Sequence, residues 1–240
     1  MTSPSPTRPT VRILERDVDL AVGVPPAEVA RATVELVAPV IEPDWDERSG
    51  PWGIGDRGLG LLLVDGLLLR EVRILATRSA ELLGSGDVLR PSDVDGEFTL
   101  PVPTEVSWTV LEPLTVALLD EDFLVAACRH PSVLARLLGR AVGRAKSLAV
   151  HEAVTNLKHV ETRLLVQFWH LAERWGRVGM GGVTVPLPLT HDLLARLVGA
   201  ARPSVTTALG RLAERGEVVR TESGWRLDPA SRATVSNLTD

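Results

Sequence analysis

Residues 189–216 read LTHDLLARLVGAARPSVTTALGRLAERG, and this stretch limits the folds open to the chain more than any other. It divides at Gly199 into two amphipathic segments of about two and three helical turns. Gly199 permits a sharp turn, and Ala195 is small where the two helices would cross. Leu194, Val198, Val205, Ala208 and Leu212 then predict a shared core. The start of the second helix is left free, and Pro203 suits a first helical turn. A helix start offers unpaired N–H groups and partial positive charge, both suited to phosphate. Arg202 can direct two donors at guanine, while Ser204 and Thr207 are flexible donors or acceptors. A bare corner of two helices fits the apolar spacing equally well, so the neighbouring sequence has to decide.

The stretch that follows, EVVRTESGWRL, is a hairpin pattern with Glu222-Ser223-Gly224 at its tip and Arg220 and Arg226 on its flanks. Helix, turn, helix and basic hairpin together predict a winged helix–turn–helix. Charge supports it: residues 1–130 hold 11 Lys and Arg against 22 Asp and Glu, whereas residues 131–226 hold 14 against 7. Asymmetry of this kind points to a polyanion that meets only one part of the chain. The expected DNA contacts are Thr190, Arg202, Pro203, Ser204, Thr206, Thr207, Arg211, Arg220, Thr221 and Arg226.

From Pro131 the apolar period is helical. Leu134, Leu138, Ala141, Ala145 and Leu148 are spaced 4, 3, 4, 3, a heptad seam. No proline interrupts residues 132–185, so a helix from Pro131 to near Leu157 is expected, about 40 Å long. Packing on its own domain would satisfy the pattern; a narrow seam on so long a helix favours a parallel homodimer. HVETRLLVQFWHLAERWG then gives a second amphipathic helix with Leu164, Leu165, Phe168 and Leu171 on one side.

Residues 11–130 read as β-rich. LGLLLVDGLLLREVRI is two apolar runs around Asp65-Gly66, which predicts a hairpin there. GSGD at 84–87 and LEP at 111–113 punctuate further short runs, including EVSWTV and LTVALL. One helix is expected from Pro26 to Val34. Short strands between Gly and Pro turns suggest a small barrel or jelly roll. The start, MTSPSPTRPT, is expected to be a disordered tail over residues 1–10 and lacks a signal-peptide core.

Several function classes drop out. The longest apolar run is broken by Asp65-Gly66 and too short to span a bilayer. Cys128 is the only cysteine, so intramolecular disulfides and four-cysteine clusters are excluded and a cytoplasmic location is expected. GIGDRG at 53–58 satisfies a dinucleotide pattern, but a hairpin follows where that fingerprint needs a helix. The five histidines, His130, His151, His159, His170 and His191, lack metal-ligand spacing and read as helix-surface or packing residues. Glu42, Asp44, Asp46 and Glu47 read as a solvated loop. No nucleophile–base arrangement is recognisable. No metal, cofactor or enzymatic activity is expected.

The order of parts resembles the Crp/Fnr family of bacterial transcription regulators. VTVPLPLTHDLLARLVGAARPSVTTALGRLAERGEVVR looks like the family's strand, helix–turn–helix and wing, and the long helix before it also matches. The amino-terminal half matches more loosely, through the Gly66 region, LLGSGD and the strand containing Trp108. The resemblance implies an α+β chain: a β-roll (jelly roll) effector domain over 11–130, a dimerising helix over 131–158, and a winged helix–turn–helix over 159–230 that reads a palindromic operator. It implies that Thr190 touches phosphate, Arg202 a base edge and Ser204 either. Many members have Glu after that Arg, whereas this chain has Pro203, so the operator should differ. Double-stranded DNA, a second copy of the chain and RNA polymerase are the implied partners, with an effector of unknown identity.

The resemblance also implies what the effector pocket lacks. Cyclic-nucleotide-binding members place a Gly-Glu pair where this chain has Arg90-Pro91, and a phosphate-binding Arg where it has Glu105, two residues before Ser107. Gly96-Glu97 could be a displaced pair but has no basic partner. A carboxylate facing a phosphate opposes binding, so cyclic AMP is not expected to be the ligand. Two other readings stay open at this point: a small-molecule-binding or enzymatic β-barrel with an accessory helical domain, and a winged helix that binds another protein.

Overall fold

The computed structural model describes residues 8–41, 58–90 and 102–236. The chain divides into two compact units, Met1–Thr77 with Glu81–Lys146, and Arg78–Ala80 with Ser147–Asp240. In the first unit the elements are β1 (Thr10–Arg12), α1 (Ile13–Arg16), α2 (Pro26–Glu35), β2 (Val37–Ile41), β3 (Gly60–Ile74), β4 (Thr77–Gly84), β5 (Val88–Leu89), β6 (Thr104–Leu119) and α3 (Glu121–Ala127). The long helix α4 (Pro131–Thr155) begins in the first unit and ends in the second. The second unit continues with α5 (Val160–Trp175), β7 (Arg177–Gly179), β8 (Gly182–Val185), α6 (His191–Leu197), α7 (Arg202–Glu214), β9 (Val218–Thr221), β10 (Gly224–Leu227) and α8 (Pro229–Ser236).

The first unit is built on a six-stranded sheet, ordered β1-β2-β6-β3-β4, with β5 also on β3. β3 is apolar at successive positions because both its faces are covered. Leu61 and Leu63 enter one core with Leu83, Leu89, Trp108 and Val116, while Leu62 enters the other with Ile13, Leu20, Leu36 and Phe123. That continuous apolar run is what a strand buried on two sides requires.

The expected hairpin at Asp65-Gly66 is not formed. β3 runs straight through it, antiparallel to β6, with register shifts between Leu63 and Leu68. Asp65-Gly66 is therefore a bulge. The Gly66 N–H donates to Asp65 Oδ1 at 2.9 Å, and φ is +96°. A Cβ there would stand 2.2 Å from the Pro113 carbonyl oxygen, so glycine is required by close approach. The same correction applies to LEP at 111–113, which interrupts no strand: EVSWTV and LTVALL are one strand, β6. The reversal comes instead at Leu75-Ala76, where Leu75 adopts φ +55°. The GSGD turn forms as expected, with the Gly84 N–H donating to Asp87 Oδ2 at 2.8 Å. Residues 1–7 lie outside the described residues, but Thr10 already pairs with Pro39, so the expected tail is too long at its end.

α4 starts one residue after the buried His130, which bonds Glu35 at 3.0 Å. Val133 and Leu137 fill the core on its inner face. Arg140 pairs with Asp17 and donates to the Gly86 carbonyl at 3.0 Å. Arg144 donates to Glu81 at 2.7 Å, and Glu81 also accepts from Arg70 at 3.1 Å, while Arg70 lies over the Trp108 ring. Two guanidiniums and one carboxylate are thus buried together, a set in which loss of one member costs more than the set contributes.

The expected seam lies partly against its own domain and partly in the open. Leu138 and Ala145 are exposed, but Leu134, Ala141 and Leu148 are half-buried, and Leu134 packs on the first core. The exposed apolar line runs Ala135, Leu138, Val142, Ala145, Ala149, still at heptad spacing. The inward demands of Val133, Leu137 and Arg144 set that division.

Candidate nucleic-acid interface

α6 and α7 meet as their periodicity requires. Leu194, Val198 and Val205 are fully buried, and Ala208 and Leu212 nearly so. Gly199 sits between them at φ +59°. Arg163 of α5 secures the turn, donating from Nη1 to the carbonyls of Val198 at 3.3 Å and Gly199 at 3.2 Å. These are carbonyls that a helix end leaves without partners.

The second fixed point is Trp225 of β10. It packs on Phe168 of α5 with ring centroids 5.2 Å apart, and its Nε1–H donates to the Leu189 carbonyl at 3.0 Å. Arg220 of β9 donates to the same carbonyl at 2.7 Å and lies over the Trp225 ring. β7, β8, β10 and β9 form one antiparallel sheet, so the hairpin is locked to the entry of α6.

What this scaffold presents is the start of α7. Arg202, Pro203, Ser204, Thr206 and Thr207 are exposed, while Val205, Ala208 and Leu209 point inward. Thr206 and Thr207 donate back to the carbonyls of Arg202 at 3.1 Å and Pro203 at 3.2 Å. Thr190 caps α6, its Oγ1 accepting from the Leu193 N–H at 3.1 Å. Between the α6 start, the α7 start and the hairpin lies a cleft of about 550 Å³ lined by Leu189, Thr190, His191, Asp192, Arg202, Arg220 and Trp225. Asp192 is paired with Arg196 at 2.7 Å.

The expected contact residues divide accordingly. Thr190, Arg202 and Arg220 share the cleft, and Pro203, Ser204, Thr206 and Thr207 stand on the exposed turns of α7. Arg226 is exposed on the strand face opposite Trp225. Thr221 donates to the Gly224 carbonyl at 3.2 Å and shapes the hairpin tip. Arg211 faces elsewhere: it and Arg215 are held by Glu161 of α5, at 2.8 and 3.1 Å. His191 is the residue that sequence reasoning missed. It lines the cleft with Nδ1 2.9 Å from Thr206 Oγ1, a contact between two helices that no local pattern announces.

In the first unit, Glu105 is exposed and paired with Arg73 across β3 and β6, which corrects the expectation that its carboxylate faces into a pocket. Ser107 is half-buried opposite Glu71, and Arg90 follows β5. Pro91, Gly96-Glu97, the acidic cluster at 42–47 and residues 53–57 of GIGDRG lie outside the described residues. Among the described residues no helix is long and apolar enough to cross a membrane.

A winged helix–turn–helix with this exposed basic turn defines a DNA-binding regulator class. Residues 162–236 match the Crp-like helix-turn-helix domain family. The CRP-like cAMP-activated global transcriptional regulator of Mycobacterium tuberculosis is 28% identical over 200 residues, covering 81% of this chain and 85% of that one. In fold, the chain is similar to a CooA variant from Carboxydothermus hydrogenoformans, with TM-score 0.60 at 15% identity over 79% of this chain and 84% of the other. It is also similar to FixK2 from Bradyrhizobium japonicum, with TM-score 0.57 at 18% identity over 85% and 98%. Residues 162–236 thus carry a Crp-like helix-turn-helix domain, and most of the chain is similar to a CRP-like transcriptional regulator.

The Glu161 contacts have a pH consequence. The hydrogen bond from Arg211, aided by Arg215 and opposed by partial burial, holds the Glu161 carboxyl below its ordinary value of 4.5. A depressed folded-state value means that this stability is present above pH 4.5 and is lost as pH falls through the folded value. Urea unfolding at about pH 6 and about pH 4 should show a smaller loss for Glu161→Gln than for the wild type. Equal losses would mean that the pair contributes nothing to acid sensitivity.

Proposed function

We propose that this chain is a sequence-specific transcription regulator, not an enzyme, that acts as a homodimer on a palindromic operator and does not respond to cyclic AMP. The observation that carries the DNA reading is the exposed start of α7, with Arg202 and its hydroxyl neighbours projecting from a helix whose other face is fully packed. Arg202 reads a base edge, Thr190 meets phosphate, and Ser204 meets phosphate or base. The exposed line through Leu138, Val142 and Ala145 supports a second copy along α4, and two-fold symmetry then gives a two-fold operator. RNA polymerase is the downstream partner of such a regulator.

Arg202→Ala should cost about 1–3 kcal/mol at the cognate site and little on random-sequence DNA. Binding isotherms on both duplexes at one salt concentration measure this. Equal losses would make Arg202 a phosphate contact only.

The cyclic-nucleotide reading rests on residue chemistry. The Mycobacterium tuberculosis relative is a cAMP-activated regulator. In sequence, Glu105 stands where the resemblance expects the phosphate-binding Arg, and Arg90-Pro91 where it expects Gly-Glu; exposed on its strand, Glu105 brings no cation to a bound phosphate. Pairing with Arg73 offsets the Glu105 charge but supplies no donor from that position. A charge-assisted hydrogen bond contributes about 1.5–3 kcal/mol, so losing two weakens binding by powers of ten. Calorimetry with cyclic AMP and cyclic GMP should register no micromolar binding, and such binding by either would overturn this part of the reading.

A further inference from the structure

The cleft beside α7 holds one imidazole, His191, which shares a hydrogen bond with the neighbouring helix. The Thr206 hydroxyl carries one hydrogen, which it donates to the Arg202 carbonyl at 3.1 Å. Its oxygen also lies 2.9 Å from His191 Nδ1. While that hydrogen stays on the Arg202 carbonyl, Nδ1–H is the donor in the contact with Thr206. In that arrangement a neutral His191 carries its lone pair on Nε2, and no described residue bonds that atom.

A lone pair repels a phosphate oxygen, whereas a protonated Nε2 donates to one and adds a charge. The other groups facing the imidazole are the guanidiniums of Arg202 on α7 and Arg220 on β9, the Trp225 ring 6.2 Å away on β10, and Asp192 on its own helix. Arg220 is already committed to the Leu189 carbonyl, and Asp192 to Arg196. A phosphate entering the cleft is thus met by Arg202 and by His191 once it has taken a proton from water.

We propose that His191 binds a proton when a DNA phosphate occupies this cleft, so that affinity for DNA falls as pH rises through neutrality. The proposal rests on the DNA reading above and adds the proton linkage to it. Imidazole is the side chain whose ordinary titration lies in this range. A complex that holds more protons than its free components weakens as pH rises.

The test uses the full chain and a labelled random-sequence duplex, since a phosphate contact does not depend on base sequence. Anisotropy titrations at fixed ionic strength should show the wild type binding about fivefold more tightly at about pH 6 than at about pH 8. His191→Gln, which cannot ionise, should lose most of that ratio, and His191→Arg should bind with little pH dependence. Other histidines contribute a background shared by all three proteins, so the difference between them is the readout. Calorimetry of the wild type in two buffers of unequal ionisation heat should register proton uptake on binding, whatever the variants' stability. The same pH ratio in wild type and His191→Gln, or no proton uptake, would overturn the proposal while leaving DNA binding intact. No binding of the wild type at either pH would overturn the DNA reading instead.

Discussion

The position of Trp225 governs the carboxy-terminal unit. One indole satisfies the Leu189 carbonyl, packs at a tilt on Phe168 and supports the Arg220 guanidinium. An aromatic of this size contributes apolar burial, and its N–H removes the cost of a buried carbonyl left without a donor. Because Leu189 immediately precedes the cap residue of α6, the same contact sets where that helix begins. The direction of α7 follows through the Gly199 turn, which Arg163 holds from the other side. The exposed face of α7 is therefore presented by a scaffold with little freedom at either end.

The helix–turn–helix was legible in the sequence because its determinants are local. Leu194, Val198, Val205, Ala208 and Leu212 mark one face by period alone, and Gly199 and Pro203 mark the boundaries. The hairpin after it was legible for the same reason. The polar ties were not: Trp225 and Arg220 reach back more than thirty residues to one carbonyl, and Arg163 reaches forward to two. Periodicity carries no information about such pairs. His191 was overlooked on that account, since its meaning depends on Thr206 of the next helix.

In the first unit, long-range pairing overrode a strong local preference. Asp65-Gly66 has the composition of a tight hairpin, yet β6 offers sixteen residues of partner strand, and the pair is absorbed as a bulge opposite Pro113. The chain keeps its ladder on both sides of the irregularity, and every leucine of the run stays buried. On α4 the domain's own packing shares the helix surface with the seam. A heptad pattern identifies a stripe, but Val133, Leu137 and Arg144 decide which stripe the domain takes for itself. What remains outside is the line through Leu138 and Val142.

The central claim is that two copies of α7 read DNA together across a two-fold axis. Hydroxyl-radical footprinting on a duplex selected by the protein from a random pool tests it most directly. The account predicts two protected patches of related inverted sequence, centred about one helical turn, roughly 34 Å, apart. A single protected patch, or a pool in which no sequence is enriched, would contradict it.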